Sequence, residues 1–423
     1  MSIILSLKQI TIVSAGSQGD IQPYLALAVG LKNEGFRVKF VANTNFAGLA
    51  AAYDLDFLPI QVDSYKLLQT PQAQNAWLES DSVLKLSLNM ARTIRPAIPQ
   101  IFSDVSDACQ HSDLIIYHSY NIPFVYYIGK LLKIPFIPAS LHPLPTREHI
   151  TPPLNIKRSP GRSFNLLSHL VAHQFSWQLF MPIARKTWRE KINVSVITPI
   201  RQIHKDRRLV LCGYSPTVLP KPADIPETTV ITGYWFLDSD PAWQPPAELV
   251  AFIQSGKRPI YIGFGSNPVN KQATANIILG ALAKTGERAI LASGWGGLGN
   301  EHPLPDHVFL TESVPHHWLL PQMAAIVHHG GAGTTGAALS AGVPNIVVPH
   351  FGDQYFWGRR VAELGVGPEP IPHKTLSAER LAQAISIAVN DRDMQERARK
   401  LGEQIRAEEG LKKAVREIRQ FVS

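Results

Sequence analysis

His328-His329-Gly330-Gly331-Ala332-Gly333-Thr334-Thr335 follows the short apolar run Ala324-Ala325-Ile326-Val327 and precedes Gly336-Ala337-Ala338-Leu339-Ser340-Ala341-Gly342-Val343-Pro344. The order predicts a strand, a glycine-rich turn and one short helix stopped by Gly342 and Pro344. Such a turn is an anion site, because the first amides of a helix have no intrahelical partner and point at whatever lies above them. The glycines let backbone approach the anion, and Thr334 or Thr335 caps the helix or touches an oxygen. The pattern is neither G-x-G-x-x-G nor the lysine-terminated phosphate loop, which argues against an ordinary dinucleotide or nucleoside-triphosphatase site.

Strand–helix alternation extends outward from this turn in both directions. Ahead of it lie the strand Pro259 to Ser266, a helix from Lys271 to Thr285 and the strands Arg288 to Ser293 and Val308 to Leu310; behind it come Asn345 to Pro349 and a helix from Gln354 to Leu364. The same rhythm opens the chain, with a strand over Gln9 to Ser14, an exit loop Gly16-Ser17-Gln18-Gly19-Asp20, a helix from Tyr24 to Asn33 and a strand over Arg37 to Ala42. Two alternating runs of this kind predict an α/β protein of two doubly wound, Rossmann-like domains facing each other across a cleft. The boundaries read as 1–225, a Pro-rich linker over 226–246, a second domain over 247–400, and a C-terminal helix over 401–423. The rhythm breaks between Leu141 and Ile200, where a helix over Phe164 to Trp188 displays Leu166, Leu167, Leu170 and Val171. Apolar residues at these spacings ordinarily face a core; the alternatives are an acceptor pocket, or lipid beside the basic residues.

At 423 residues the chain is long enough for two domains. Apolar residues at 45% and charged ones at 17% place it among folded, not disordered, proteins. Cys109 and Cys212 are too few for a disulfide framework and point to a reducing compartment. The opening MSIILSLKQITIVSAGSQGD has no basic segment followed by a long apolar one, so it reads as a first strand; the expectation is a cytoplasmic protein. Lys and Arg exceed Asp and Glu by eight, and between Lys157 and Arg208 eleven basic residues face only Glu190 and Asp206. That field either attracts the protein peripherally to an anionic membrane or is a solvated face. No nucleic-acid module accompanies it, so nucleic acid is not an expected partner. The histidines are scattered without a ligand quartet or H-E-x-x-H spacing, and no metal site is expected.

Gly294-Trp295-Gly296-Gly297, Val314-Pro315-His316-His317-Trp318-Leu319-Leu320-Pro321, the His-Gly turn, and Phe351-Gly352-Asp353-Gln354-Tyr355-Phe356-Trp357-Gly358-Arg359-Arg360 together resemble sterol 3-beta-glucosyltransferases. More broadly the chain is similar to inverting nucleotide-sugar glycosyltransferases of the GT-B fold, including enzymes that decorate antibiotics. The match is dense over Gly263 to Ile385 and returns at Gly16-Ser17-Gln18-Gly19-Asp20-Ile21-Gln22-Pro23, where relatives usually carry Arg in place of Gln18. The resemblance implies an acceptor-binding first domain, a nucleotide-sugar-binding second domain, and a last helix that packs back on the first. It implies UDP-glucose as donor substrate, no prosthetic group, no metal requirement, and an apolar hydroxylated small molecule or lipid as acceptor, with sterol favoured. An antibiotic, carotenoid or phenolic glycosyltransferase using a UDP- or dTDP-sugar, and a sugar-nucleotide or lipid-binding protein without turnover, remain the alternatives.

In that reading Asp20 is the general base that takes the acceptor's proton, at the carboxyl edge where open sheets bind ligands. Its competing role is to cap the following helix; His118 or His142 are candidates to orient it. Ser17 and Gly19 of the same loop join the donor contacts. The diphosphate lies over Gly330, Gly331, Gly333 and Thr334, with His329 donating to it and His328 packing inward, since neighbours leave a strand on opposite sides. Ser266 adds a phosphate or acceptor-side contact. Asp353 and Gln354 bind sugar hydroxyls, or Asp353 caps the next helix. Val314 pairs through its backbone with the nucleotide base, and Trp295 walls the base or fills the core.

Overall fold

The computed structural model describes residues 8–63, 66, 93–119, 121–151, 154, 156, 159–188, 206, 209–237, 243–264, 271–292, 304–312 and 314–423. They form two compact units, one of residues 1–237 and 409–423, the other of residues 238–408.

The first unit is built on a seven-stranded sheet of order β3-β2-β1-β4-β5-β6-β7, every pair parallel. In chain order its elements are β1 (Gln9–Val13), α1 (Gln18–Asn33), β2 (Arg37–Asn43), α2 (Ala47–Ala51), β3 (Asp56–Ile60), α3 (Ile98–Ala108), β4 (Leu114–His118), α4 (Val125–Leu132), β5 (Phe136–Ser140), α5 (Arg162–Trp188), β6 (Val210–Cys212) and β7 (Thr229–Ile231). Ile10, Ile12 and Val13 of β1 and all five residues of β4 are buried, the signature of parallel strands covered on both faces. β7 lies inside the stretch that the sequence reads as linker: three residues between proline-rich turns carry too little pattern to announce a strand.

Helix α1 also begins six residues earlier than its sequence suggests. Ser17 is its N-cap and Asp20 its third residue, and the two make a capping box that holds the first turn, so Pro23 sits inside the helix. As the sixth helical residue Pro23 lies past the free N-terminal amides, so the helix forgoes the bond that an N–H there would make to the Gly19 carbonyl.

The second unit carries a five-stranded parallel sheet of order β10-β9-β8-β11-β12. Its elements are α6 (Ala247–Gln254), β8 (Ile260–Gly263), α7 (Lys271–Thr285), β9 (Ala289–Ala292), β10 (Val308–Thr311), α8 (His316–Leu319), β11 (Ile326–His328), α9 (Ala332–Ala341), β12 (Asn345–Val347), α10 (Gln354–Glu363), α11 (Ala378–Asn390) and α12 (Arg392–Ala407). One core of Ile260, Ile262, Leu291, Val327, Ile346 and Ile385 lies on one side of this sheet, and Tyr261, Ile290, Ile326 and Ala338 belong to another. Both sheets reverse direction of growth once, between β1 and β4 and between β8 and β11, and it is outside such switch points that open α/β sheets take ligands.

The last helix, α13 (Gly410–Val422), belongs to the first unit. Gly30 of α1 has no side chain where a Cβ would come within 3.0 Å of Val415. Arg419 pairs with Glu34 at 2.7 Å, and Lys413 Nζ donates to the Ile231 carbonyl at 3.1 Å. At Gly410 a Cβ would come within 2.4 Å of the Gly233 carbonyl carbon and 2.5 Å of the Tyr234 oxygen, both backbone. Gly410→Ala is therefore expected to lose about 1–3 kcal/mol of stability through overpacking, read as a lower denaturant midpoint; an unchanged midpoint would refute this docking of α13.

Candidate functional site

At the first switch point, the chain leaves β1 through Ser14, Ala15 and Gly16 and turns into α1. Gly16 has φ +138°, a region that favours glycine, and a Cβ there would fall 2.5 Å from Asp20 Oδ2 and 2.8 Å from Asn121 Nδ2. Side chains from two other strand ends pin this turn. The Gly16 amide donates to Asn43 Oδ1 at 3.0 Å, and Asn121 Nδ2 donates to the Ala15 carbonyl at 2.7 Å. Asp20 is half-buried, and its Oδ2 accepts from both the amide and the hydroxyl of Ser17, each at 2.8 Å. The capping role weighed for Asp20 is thus real, and it fixes the direction of the carboxylate. Gly19 is exposed beside it.

Beneath this turn the Tyr24 hydroxyl donates to the Ala139 carbonyl at 2.9 Å. Burial, and then the negative charge of Asp20, hold that phenol well above its ordinary range. The His118 ring lies 5.1 Å from Tyr24 and stacks on His142 at 6.0 Å. His118 is fully buried, and neither of its ring nitrogens has a hydrogen-bond partner among the described residues. Burial, with His142 adding, keeps it neutral far below the usual histidine range. It therefore places no cation beside the carboxylate.

At the second switch point, β11 ends at His328 opposite Gly263 of β8. His328 is fully buried: its Nε2–H donates to Asn345 Oδ1 at 3.0 Å, and its Nδ1 accepts the Gly330 amide at 3.1 Å. That pairing requires a neutral ring, and burial depresses its pKa to about 3. His328 is a structural residue, as its position next to His329 implies. Gly330 has φ +88°, and a Cβ there would meet Val347 at 2.6 Å. His329 points the other way. Its Nε2 lies 2.5 Å from the place a Cβ on Gly331 would take, at the N-cap of α9, and its buried Nδ1 has no partner among the described residues. Burial lowers its pKa to about 4 against the opposing pull of Asp353.

The first bond of α9 runs from the Thr335 amide to the Gly331 carbonyl at 2.8 Å, so the amides of Ala332, Gly333 and Thr334 precede it. Thr334 is half-exposed on this rim and Thr335 is buried. Asp353 and Gln354 follow β12. Gln354 Oε1 accepts the amides of His350 at 2.8 Å and Phe351 at 3.3 Å, which closes the turn before α10; Asp353 Oδ2 accepts Trp357 Nε1 at 3.1 Å. Asp353 stands at the N-cap position of α10 without a side-chain cap bond. Val314 lies after β10, half-buried against the core that contains Tyr261 and Ile326. Ser266 and Trp295 lie outside the described residues. Asn43 and Asn121, which sequence reasoning passed over, come from the last residue of β2 and from three residues past β4, and no local pattern marked them. Among the described residues no three His, Cys, Asp or Glu side chains converge as metal ligands.

Two family models match the chain: the glycosyltransferase family 28 N-terminal domain over residues 10–109, and the erythromycin biosynthesis protein CIII-like C-terminal domain over residues 276–419. A sterol 3-beta-glucosyltransferase of Arabidopsis thaliana is 34% identical over 96% of this chain, which spans 67% of that protein. A sterol 3-beta-glucosyltransferase of Aspergillus terreus is 35% identical over 97% of this chain, which spans only 30% of that longer protein. Among solved structures, the calicheamicin glycosyltransferase CalG4 has a TM-score of 0.67 at 20% identity, with 99% of each chain covered. The fold is thereby GT-B.

Two outcomes are expected from this geometry. Gly331→Ala forces the His329 ring off the α9 N-terminus and should weaken binding of a nucleoside diphosphate by about tenfold or more, against about 1.4 kcal/mol per tenfold, measured by calorimetry; unchanged affinity would remove His329 and Gly331 from the anion site. The second concerns acid. The folded-state pKa of His328 lies below its unfolded value of about 6.5, so its contribution is intact above that value and is lost as pH falls toward about 3. Between pH 6 and 4 the His328→Gln variant should lose stability less steeply than the parent, by about 1.4 kcal/mol per pH unit. Equal slopes in denaturant titrations would contradict this.

Proposed function

The chain belongs to the sterol 3-beta-glucosyltransferase family, and from that membership and the two switch-point sites we propose that it transfers glucose from UDP-glucose to the hydroxyl of a sterol drawn from a membrane. The supporting observation is Asp20, a carboxylate fixed by Ser17 at the mouth of the first sheet, with no cation from His118 beside it.

Asp20 takes the proton of the acceptor hydroxyl as that oxygen attacks the anomeric carbon. The bond from that carbon to the diphosphate oxygen breaks, the configuration inverts, and UDP leaves. Ser17 donates both of its bonds to Oδ2 and holds the carboxylate at the turn. The negative charge on the leaving diphosphate is met by the Ala332, Gly333 and Thr334 amides at the start of α9, with Gly331 allowing close approach. His329, neutral at rest, acts as a hydrogen-bond donor and gains basicity as the anion arrives. Asp353 accepts from sugar hydroxyls. Gln354 has its carbonyl oxygen committed to the backbone, so its amide nitrogen is the end offered to the sugar. Val314, Ser17, Gly19, Ser266 and Trp295 complete the donor contacts in this reading. No divalent ion enters, because helix amides and an imidazole carry the leaving group's charge.

Asp20→Asn is the decisive variant, because the amide oxygen can still accept from Ser17 and keep the helix start. Turnover with UDP-glucose and sterol should fall about 10²–10⁴-fold while UDP affinity stays within about threefold. Products are read by mass after incubation with UDP-glucose and panels of sterols, carotenoids and phenolics. Full turnover by the variant would sink the base assignment. Glucosylation of phenolics but no sterol would sink the acceptor, and transfer only from dTDP-sugars the donor.

A further inference from the structure

The first two turns of helix α5 are amphipathic the wrong way round. There the inward face is polar: Asn165, Ser168 and His169 are buried. Asn165 Nδ2 donates to the Arg147 carbonyl at 2.9 Å, Ser168 Oγ accepts the Thr151 amide at 3.0 Å, and the His169 ring bonds the His149 carbonyl at 3.1 Å. Further along, buried Trp177 stacks on Tyr127 at 5.4 Å. These contacts fix the helix in place and leave its rotation no freedom. What it turns outward is apolar. Leu167 is 55% and Val171 59% exposed, against the core role their spacing predicts. With the half-buried Phe164 and Phe175 they fall within one arc of about 80° on a helix of about 100° per residue.

A water-facing helix has the opposite arrangement, with its apolar stripe inward. Basic residues surround the ridge: Arg147 and Arg162 are exposed at its start, and exposed Arg185 lies on the same line about five turns along, beside Lys186. Two carboxylates stand at that end as well: Glu148 pairs with Arg162 at 2.8 Å, and Asp224 accepts the Arg147 amide at 2.7 Å, so the net positive charge of the ridge comes from its Arg185–Lys186 end. Arg162, Arg185 and Lys186 belong to the stretch Lys157 to Arg208, whose surplus is nine positive charges in all. No helix of the described residues is long and apolar enough to cross a membrane, so an apolar ridge with basic flanks fits the interface plane instead.

We infer that the outer ridge of α5, Phe164, Leu167, Val171 and Phe175, docks the first unit on an anionic lipid surface, with Arg185 and Lys186 meeting the headgroups. This rests on the reading of the acceptor as a membrane sterol and says where the protein stands to collect it. The ridge supplies apolar insertion, and the flanking cations supply selectivity for anionic lipid that salt screens.

The test uses the full chain, sedimented with phosphatidylcholine vesicles with and without phosphatidylglycerol, and the Leu167→Gln/Val171→Gln variant. The parent should bind the anionic vesicles more tightly, and less so as salt rises. The variant should bind them at least about tenfold more weakly, while its turnover on detergent-dispersed sterol stays at the parent's level, which also shows that it is folded. Equal vesicle binding by parent and variant overturns the inference. So does a parent that ignores vesicles yet glucosylates dispersed sterol, an outcome that leaves the function intact. A parent dimer that the variant loses, without vesicle binding by either, overturns it in favour of a second copy on this ridge. Vesicle binding lost in the variant, with no transfer to any sterol by either, upholds the docking surface and removes the sterol reading.

Discussion

At each switch point a polar side chain fills the space that a Cβ would take. Asp20 Oδ2 lies 2.5 Å from that place on Gly16, and His329 Nε2 lies 2.5 Å from it on Gly331. The absence of a side chain is what lets a carboxylate in one unit and an imidazole in the other fold back on the turn that follows a strand. Both groups are thereby held at the start of a helix, α1 in one case and α9 in the other. A parallel sheet is what delivers the chain to that place, because every strand ends at the same edge and every helix starts there. The two units share this construction and differ in the group they install: a fixed anion in the first, orphan amides with a neutral donor in the second.

Burial does the electrostatic work around these turns. His118, His328 and His329 are all driven to the neutral form by loss of water. For His328 neutrality is structural, since its Nδ1 accepts the Gly330 amide and a proton there would break the turn. For His118 it means that this ring puts no positive charge under Asp20. For His329 it leaves a ring nitrogen at the α9 N-terminus that an arriving diphosphate can engage.

Much of this was legible in the sequence. Apolar runs located every strand of the two sheets except β7, and α7 runs from Lys271 to Thr285 as its pattern predicts. The His-Gly stretch announced the turn between β11 and α9, and the opposite placing of His328 and His329 followed from strand geometry. What failed were signals shorter or more distant than a local pattern can carry. The pattern suggested a helix from Tyr24, whereas the Ser17–Asp20 box starts it at Gln18. β7 is three residues long. Asn43 and Asn121 reach the first turn from 27 and 106 residues away, which no local pattern encodes. The outward turn of Leu167 and Val171 depended on polar partners of α5 that the helix period alone does not reveal.

The stereochemistry of the product tests the central claim most directly. The donor holds glucose in the α configuration, so one displacement assisted by Asp20 yields a β-glucoside. Proton NMR of the anomeric signal, on sterol glucoside made by the parent protein from UDP-glucose, should show the β anomer alone. An α-linked product would mean two displacements or a different geometry, and would contradict a single carboxylate acting as base.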